Sequence, residues 1–317
     1  MRNKPSKVLV TGGAGLIGSE IVRKHVDMGD KVIVVDNLST GSYSNLADVI
    51  DRIDFYKEDA GNQKSMKRHL EGVEKVYHMA ATVGVDLVLG HDREVAENDY
   101  LTAKTLFELS SEAGVGVMLF ASTSEAYGKF NQKMLPMKED AHFTPDTVYG
   151  FAKYAAELEL RELCRKDGMC GVSVRYFNVY GPKQTLNGYC VPTFIDAALR
   201  GKNIQIHAED GKVGTRDLTY LSDAVNLTVA VADEKYNGEV FNIGTGNEVS
   251  MIQLAEMVTE LARSESQIAY VQPRRETDLY RKMGDASKIL NATGLKAEVR
   301  LVDGLRDCVD YWREHRL

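Results

Sequence analysis

The chain has 317 residues, 44% of them hydrophobic and 27% charged, with a formal net charge of −7. That length and composition suit one large or two modest domains around an ordinary core. The mildly acidic balance, without a long basic run, argues against a nucleic-acid partner. No apolar run is long enough to cross a bilayer, which excludes a membrane span of that kind. The cysteines Cys164, Cys170, Cys190 and Cys308 lack metal-type spacing and read as reduced thiols, so no metal is expected. Residues 1–5 lead directly into a strand pattern, and the expectation is a cytoplasmic protein without a leader.

In chain order, Lys7–Thr11 is a short β-branched run, followed by glycines and an amphipathic stretch over 16–28. That reads as strand, tight turn and helix. Residues 31–35, 52–56, 73–78 and 115–121 read as further strands, and 92–113 and 147–166 as long helices. A strand over 172–175 follows. The alternation predicts an α/β fold, a doubly wound parallel sheet with helices on both faces. Beyond Gly181-Pro182 the pattern loosens: a helix over 191–199, a strand over 204–207, an extended piece over 215–220, a buried strand over 239–243, and helices over 251–262 and 302–313. The expected organisation is a dinucleotide-binding domain over 1–181, rejoined by about 218–258. A smaller substrate-binding lobe would be built from 182–217 and 259–317.

Gly12, Gly15 and Gly18 stand at the first strand-to-helix turn in the spacing G-x-x-G-x-x-G. Glycines there allow a tight turn, close backbone approach to a pyrophosphate, and close helix packing, while the helix N-terminus offers free N–H groups. Asp36 ends the second strand at the distance where a carboxylate accepts from ribose hydroxyls and repels a 2′-phosphate, which favours NAD over NADP. Asp59-Ala60, just past the third strand, is a candidate for the adenine edge.

Tyr149 and Lys153 are four apart on a predicted helix and so share a face. Tyrosine, with a reference pKa of about 10, needs help to act as a base near neutrality. A nearby lysine and the positive charge of an oxidised nicotinamide supply it. A structural Tyr/Lys pair would look the same in isolation. The segment Ala121-Ser122-Thr123-Ser124-Glu125-Ala126-Tyr127-Gly128 adds hydroxyls and a carboxylate at the C-terminal end of a strand, where open α/β sheets place ligands.

With these residues together the chain resembles the extended short-chain dehydrogenase/reductase family, in its branch of nucleotide-sugar epimerases, dehydratases and uronate decarboxylases. The ordered motifs that carry the resemblance are TGGAGLIG at 11–18, VDNLSTG at 35–41, HMAA at 78–81, ASTSEAYG at 121–128, YGFAK at 149–153, RYFNVYGP at 175–182, TRDLTYLSD at 215–223, FNIGTG at 241–246 and RRETDLYRKMGDASK at 274–288. The resemblance implies that NAD is held by the three glycines with Leu16 and Ile17, by Asp36 with Asn37, Ser39, Thr40 and Gly41, by Asp59 and Ala60, by Ala80 and Ala81, and by Asn98, Tyr149, Lys153 and Tyr176. It implies Tyr149 as the base, Lys153 as its electrostatic partner, and Thr123 as the hydroxyl on the sugar 4-oxygen. Asn178, Arg216 and Arg275 would hold the substrate diphosphate, with Asp278 near the nucleoside sugar. Val85 would touch the sugar together with the 186–191 stretch, where Val191 stands, and Ile204 and Ile206 would border the base. A homodimer through the helices over 92–113 and 147–166 is also implied.

The shared chemistry that the resemblance implies is transient oxidation to a 4-keto sugar with NAD recycled. Glu125 is the residue that bears on the outcome. Simple 4-epimerases often lack a carboxylate there, whereas dehydratases use one and decarboxylases resemble the Thr123-Ser124-Glu125 triplet. Ser124 stands where deoxythymidine-diphosphate-sugar dehydratases carry an aspartate, and the 274–288 segment looks like that of 4-epimerases. The expectation is therefore a lyase outcome, 4,6-dehydration or uronate decarboxylation, with 4-epimerisation of the UDP-glucose/UDP-glucuronate type as the alternative. A non-catalytic NAD-binding regulator and a net oxidoreductase are the remaining readings. Uridine is the expected nucleoside.

Overall fold

The computed structural model describes residues 5–82, 91–128 and 133–316. The first strand, β1 (Lys7–Thr11), buries Val8 and Val10 on one face and Leu9 on the other, the period-2 pattern of a strand covered on both sides. It is followed by α1 (Leu16–Asp27), β2 (Lys31–Val35), β3 (Ile53–Tyr56), α2 (Gln63–His69), β4 (Lys75–His78), α3 (Asp92–Glu112), β5 (Val117–Thr123), α4 (Val148–Asp167) and β6 (Cys170–Tyr176). The strand expected over 52–56 begins one residue later, because Ile50–Arg52 forms a 3₁₀ turn. The one expected over 73–78 begins at Lys75, and β6 extends beyond 172–175 at both ends.

After β6 come β7 (Asn178–Tyr180), α5 (Cys190–Leu199), β8 (Ile204–Glu209), β9 (Lys212–Val213), β10 (Thr215–Arg216), β11 (Leu218–Tyr220), α6 (Leu221–Val231), β12 (Val240–Ile243), β13 (Val249–Ser250), α7 (Met251–Ala262), β14 (Ile268–Val271), α8 (Ser287–Thr293) and α9 (Leu301–His315). The main sheet has seven strands in the order β12-β6-β5-β4-β1-β2-β3, every neighbour parallel. Strand order reverses between β1 and β4, and ligands bind at the carboxyl ends of the strands beside such a switch point. β12 does rejoin this sheet, pairing with β6.

Two apolar layers cover the sheet. One packs Ile21, Val22 and Val26 of α1 and Leu221, Ala224, Val225 and Leu227 of α6 on one face. The other packs Met66 and Leu70, Leu106 and Phe107 of α3, and Ala156 and Leu160 of α4 on the opposite face. A third cluster joins α5, α7 and α9 to the small β14-β8-β9 sheet, centred on Phe194, Ile195, Leu254, Val258, Leu305 and Trp312. Ile204 belongs to that core and is fully buried.

The extended piece over 215–220 is two strands with different partners. β10 pairs antiparallel with β13, and β11 pairs parallel with β7. Asp217 sits at the break and explains it. Its buried carboxylate accepts from the Thr245 amide and hydroxyl, the Gly246 amide and the Gly284 amide, pulling two distant loops onto one point. Among the described residues, no helix is long and apolar enough to cross a membrane.

Candidate active site

The carboxyl ends of β1, β2, β4, β5 and β6 open into a cleft of about 1120 Å³ that runs across to α5, β8 and the 274–282 segment. Its first part is the glycine turn. Gly12 has φ 67°, and a β-carbon there would lie 2.6 Å from the Ala80 amide nitrogen, so this turn accepts no side chain. Gly15 caps α1 with no side-chain hydrogen bond, and it lines the cleft with Leu16, Ile17 and Gly18 of the first turn. The N–H groups of that turn are a ready anion site. Asp36 is buried at the end of β2, where its carboxylate accepts from the Ala14 and Leu38 amides at 2.9 and 2.8 Å. These bonds tie that carboxylate to the glycine turn. A cradle that a β-carbon would fill, a free helix N-terminus and an acid at the second strand fit a dinucleotide.

Of the residues assigned above to the dinucleotide, all line the cleft except Gly41, which packs against the backbone of Ala14. Tyr176 lines it with its ring, while its hydroxyl pairs with Thr228 Oγ1 at 2.8 Å. Gly15 has ordinary extended backbone, and a β-carbon there would meet only the Gly12 carbonyl, at 3.2 Å. Gly15→Val is therefore expected to fold with some loss of stability, since the Gly12 carbonyl must give way slightly, and to weaken NAD binding by about 100-fold, some 2.7 kcal/mol. Calorimetric titration alongside a melting curve checks both halves.

The second part of the cleft is formed where β5 ends. Thr123 Oγ1 accepts from the Glu125 amide at 3.2 Å and starts a 3₁₀ turn over Ser124–Tyr127. That turn is braced from below by a buried network. Glu157 of α4 accepts from Ser122 and, at 2.9 and 2.5 Å, from Arg175 of β6. Arg175 also reaches Tyr127, whose hydroxyl donates to Asn242 of β12 at 2.6 Å. The first turn of α4 lies directly against the 3₁₀ turn, because a β-carbon on Gly150 would come within 2.6 Å of the Glu125 carbonyl oxygen. This contact brings Tyr149 close to Thr123, and both line the cleft. Lys153, 3% exposed, holds its Nζ 5.8 Å from the Tyr149 ring centroid and 5.1 Å from that of Phe120. Burial pushes the Tyr149 phenol well above its ordinary range, with Asp99, Tyr189 and Glu125 adding in the same direction and Thr123 opposing. Burial lowers Lys153, and Asp99 opposes that.

The third part is cationic. Arg216, Arg274, Arg275 and Lys282 all face the cleft. Arg216 donates to the Thr215 and Tyr280 carbonyls at 2.8 and 2.9 Å and to the Asp278 carbonyl at 3.2 Å. The Asp278 carboxylate accepts from the Arg274 and Arg275 amides and lies 3.5 Å from Arg275 Nε. Asp278 thus shapes the arginine turn from within. Lys282 forms an ion pair with Glu125 across a sequence separation of 157. Burial alone would raise the Glu125 carboxyl. Lys282, then Arg275 and Arg216, outweigh it and hold the group below the usual carboxylate range. Burial, joined by Arg216 and Arg275, keeps Lys282 below the ordinary lysine range despite its carboxylate partner.

Asn178, Val191 and Ile206 also line the cleft, and Val85 lies outside the described residues. Sequence reasoning missed Lys282 and Asp99, both in the cleft wall. The only sequence signal for Asp99 is its place next to Asn98. Among the described residues no group of three or more metal-ligating side chains occurs.

A family model of the NAD-dependent epimerases and dehydratases matches residues 8–244. The chain belongs to that family. A UDP-N-acetyl-α-D-glucosaminuronate decarboxylase of Bacillus cytotoxicus is 32% identical, covering 97% of this chain and 98% of that protein. A putative UDP-glucose 4-epimerase of Methanocaldococcus jannaschii is 30% identical, covering 97% and 99%. Among solved structures, the UDP-glucose 4-epimerase of Thermotoga maritima with UDP-glucose superposes with a TM-score of 0.90 at 35% identity, over 97% of this chain and 99% of that one. The dTDP-glucose 4,6-dehydratase of Streptomyces venezuelae with NAD bound gives 0.91 at 29% identity, over 98% of both. The chain is an NAD-dependent enzyme of the epimerase/dehydratase family.

One residue of this family member's sheet sets an acid limit on stability. His78 is buried at the end of β4, its Nδ1 paired with Thr11 Oγ1 at 2.8 Å. Burial, with the Lys153 charge, pulls it down to about 3 from the ordinary imidazole value of about 6.5. Between those values the unfolded chain binds a proton that the folded chain does not, so stability falls as pH falls through that window. Urea titrations from neutral pH down to about pH 4 should show this loss. A His78→Asn variant is expected to show a slope shallower by about 1.4 kcal/mol per pH unit.

Proposed function

We propose that this enzyme decarboxylates a nucleotide-diphosphate uronate, with uridine as the nucleoside, through a transient 4-keto sugar. The observation that carries this reading is the ion pair between buried Lys282 and half-buried Glu125. A lone carboxylate at Glu125 would repel a substrate carboxylate. With Lys282 against it, and Arg275 and Arg216 acting on it electrostatically, that corner accepts an anionic sugar substituent. The site is less like that of a deoxythymidine-diphosphate-sugar 4,6-dehydratase, because Ser124 stands where such an enzyme carries an aspartate. The relative from Bacillus cytotoxicus, named as a uronate decarboxylase, supports the same reading.

In this reading Arg216, Arg275 and Asn178 hold the diphosphate, since planar guanidinium forks suit phosphate oxygens. Thr123 hydrogen-bonds the 4-oxygen and Tyr149 takes its proton. When bound, NAD supplies the reversible redox step, taking hydride from C4 and returning it. The resulting β-keto acid loses carbon dioxide as the C5–C6 bond breaks and its electrons move onto the 4-oxygen, which Thr123 and Tyr149 hold. Lys282, an ammonium held below the ordinary lysine range, is the acid assigned to protonate C5. We assign residues 1–181 and about 218–258 to the cofactor, and 182–217 with 259–317 to the nucleotide sugar.

Product mass spectrometry tests the proposal. NAD-loaded enzyme is incubated separately with UDP-glucuronate, its N-acetylglucosamine counterpart, UDP-glucose and dTDP-glucose. Loss of carbon dioxide from a uronate is the expected result. Loss of water from a neutral sugar, or unchanged mass with altered retention, would replace the proposal by dehydration or 4-epimerisation.

The homodimer is part of the same proposal. Val148, Phe151 and Leu158 form an exposed apolar stripe on α4, with Phe151 62% exposed, and exposed Leu101 lies on the adjacent α3. A second copy that pairs these helices would cover them. Sedimentation is expected to give the dimer mass, and a Phe151→Glu chain the monomer mass.

A further inference from the structure

Asp99 is a buried acid that the reaction above does not use. It follows Asn98 on α3, yet the two differ: Asn98 is exposed at the cleft, whereas Asp99 is 8% exposed. Its Oδ1 accepts from the Thr82 amide at 3.0 Å. Its Oδ2 lies 4.0 Å from Lys153 Nζ and is buried without a hydrogen-bond partner. Aromatic rings flank the same ammonium. Phe120 lies beneath it, and His78, stacked on Phe120 at 5.8 Å, is neutral with its Nε2 likewise unpartnered.

A lysine buried this deeply without an anion would shed its proton, and a neutral lysine does not favour a tyrosinate. Among the described residues, Asp99 is the one carboxylate within ion-pair distance of Lys153. We infer that Asp99 is a positioning residue of the reaction: from the neighbouring helix its carboxylate keeps Lys153 charged and seated beside Tyr149. It also ties that seat, through the Thr82 amide, to the chain leaving β4.

The inference rests on Tyr149 and Lys153 acting as proposed, so its test needs a readout that does not depend on which sugar is consumed. Lys153 has Asp99 and His78 around it, and Tyr149 has Asp99, Tyr189, Glu125 and Thr123. Asp99→Asn keeps the shape and removes one negative charge from both. Lys153 then loses its proton more easily, and Tyr149 loses an opposing charge. Both limbs of the kcat/KM pH profile of the NAD-loaded enzyme are expected to move to lower pH, on the order of one unit. The lysine side-chain NMR titration of the protein, with Lys153 assigned through a Lys153→Met variant, is expected to show the same downward shift. Asp99→Glu should recover most of it. Unmoved limbs and an unmoved Lys153 midpoint, with only the amplitude lowered, would overturn the inference. Should Asp99→Asn fail to fold, Asp99→Ser makes the same comparison. A shifted Lys153 midpoint in a protein inactive on every donor would leave Asp99's role standing and remove the decarboxylase reading alone.

Discussion

Tyr149→Phe is expected to lower turnover by about 10³-fold while the protein still folds and retains NAD. The ring remains, so its packing against Lys153 and the first turn of α4 persists. What disappears is the hydroxyl beside Thr123, and with it the proposed path by which the 4-hydroxyl proton leaves the sugar. The loss should fall on kcat more than on KM, because the arginines proposed to hold the diphosphate are unchanged. Turnover within a few-fold of the wild type would remove Tyr149 as the base. Loss of bound NAD together with activity would mean that the ring, not the proton, was being tested.

Lys282→Met is expected to cost about 100-fold or more in uronate turnover. Methionine keeps much of the stem's volume and removes the ammonium. Glu125 then remains partly buried with only Arg275 and Arg216 to offset it, and the corner becomes repulsive to an anionic substituent. In single-turnover quench experiments the 4-keto uronate should accumulate ahead of the decarboxylated product, since the Thr123–Tyr149 pair is intact. Lys282→Arg should restore part of the rate by restoring the charge. Wild-type rates in Lys282→Met would discard its assigned role, and with it the argument for a uronate. Because breaking a buried pair can cost stability, melting curves accompany each variant.

The cofactor half of the site was legible in the sequence because its parts are local. The glycine turn, Asp36 and the Tyr149–Lys153 pair each occupy a few consecutive residues, with spacings dictated by a strand end or a helix turn. The cationic half was less so. Glu125 and Lys282 meet over 157 positions, and a lysine in the charged stretch Arg281-Lys282-Met283 carries no sign that it is buried. Asp99 is not legible in the sequence because exposure changes between adjacent positions of a helix, open at Asn98 and covered at Asp99. Among the elements, α6, α8 and the short strands β7, β9, β13 and β14 do not stand out in the sequence. α8 runs seven residues, too brief to show a period, and β14 has a burial pattern with no fully buried residue. α6 was hidden in a stretch read simply as a return to the main domain.

The bonds within the arginine turn bear on how fast and how tightly a phosphate ligand is captured. Arg216 fastens three backbone carbonyls, and Asp278 fastens the amides of Arg274 and Arg275. The ordering entropy of this turn is therefore settled when the chain folds, not when the ligand arrives. Association with a nucleoside diphosphate should then be governed by electrostatic steering into a ready-made receptor, falling with ionic strength, instead of by a slow rearrangement of the turn.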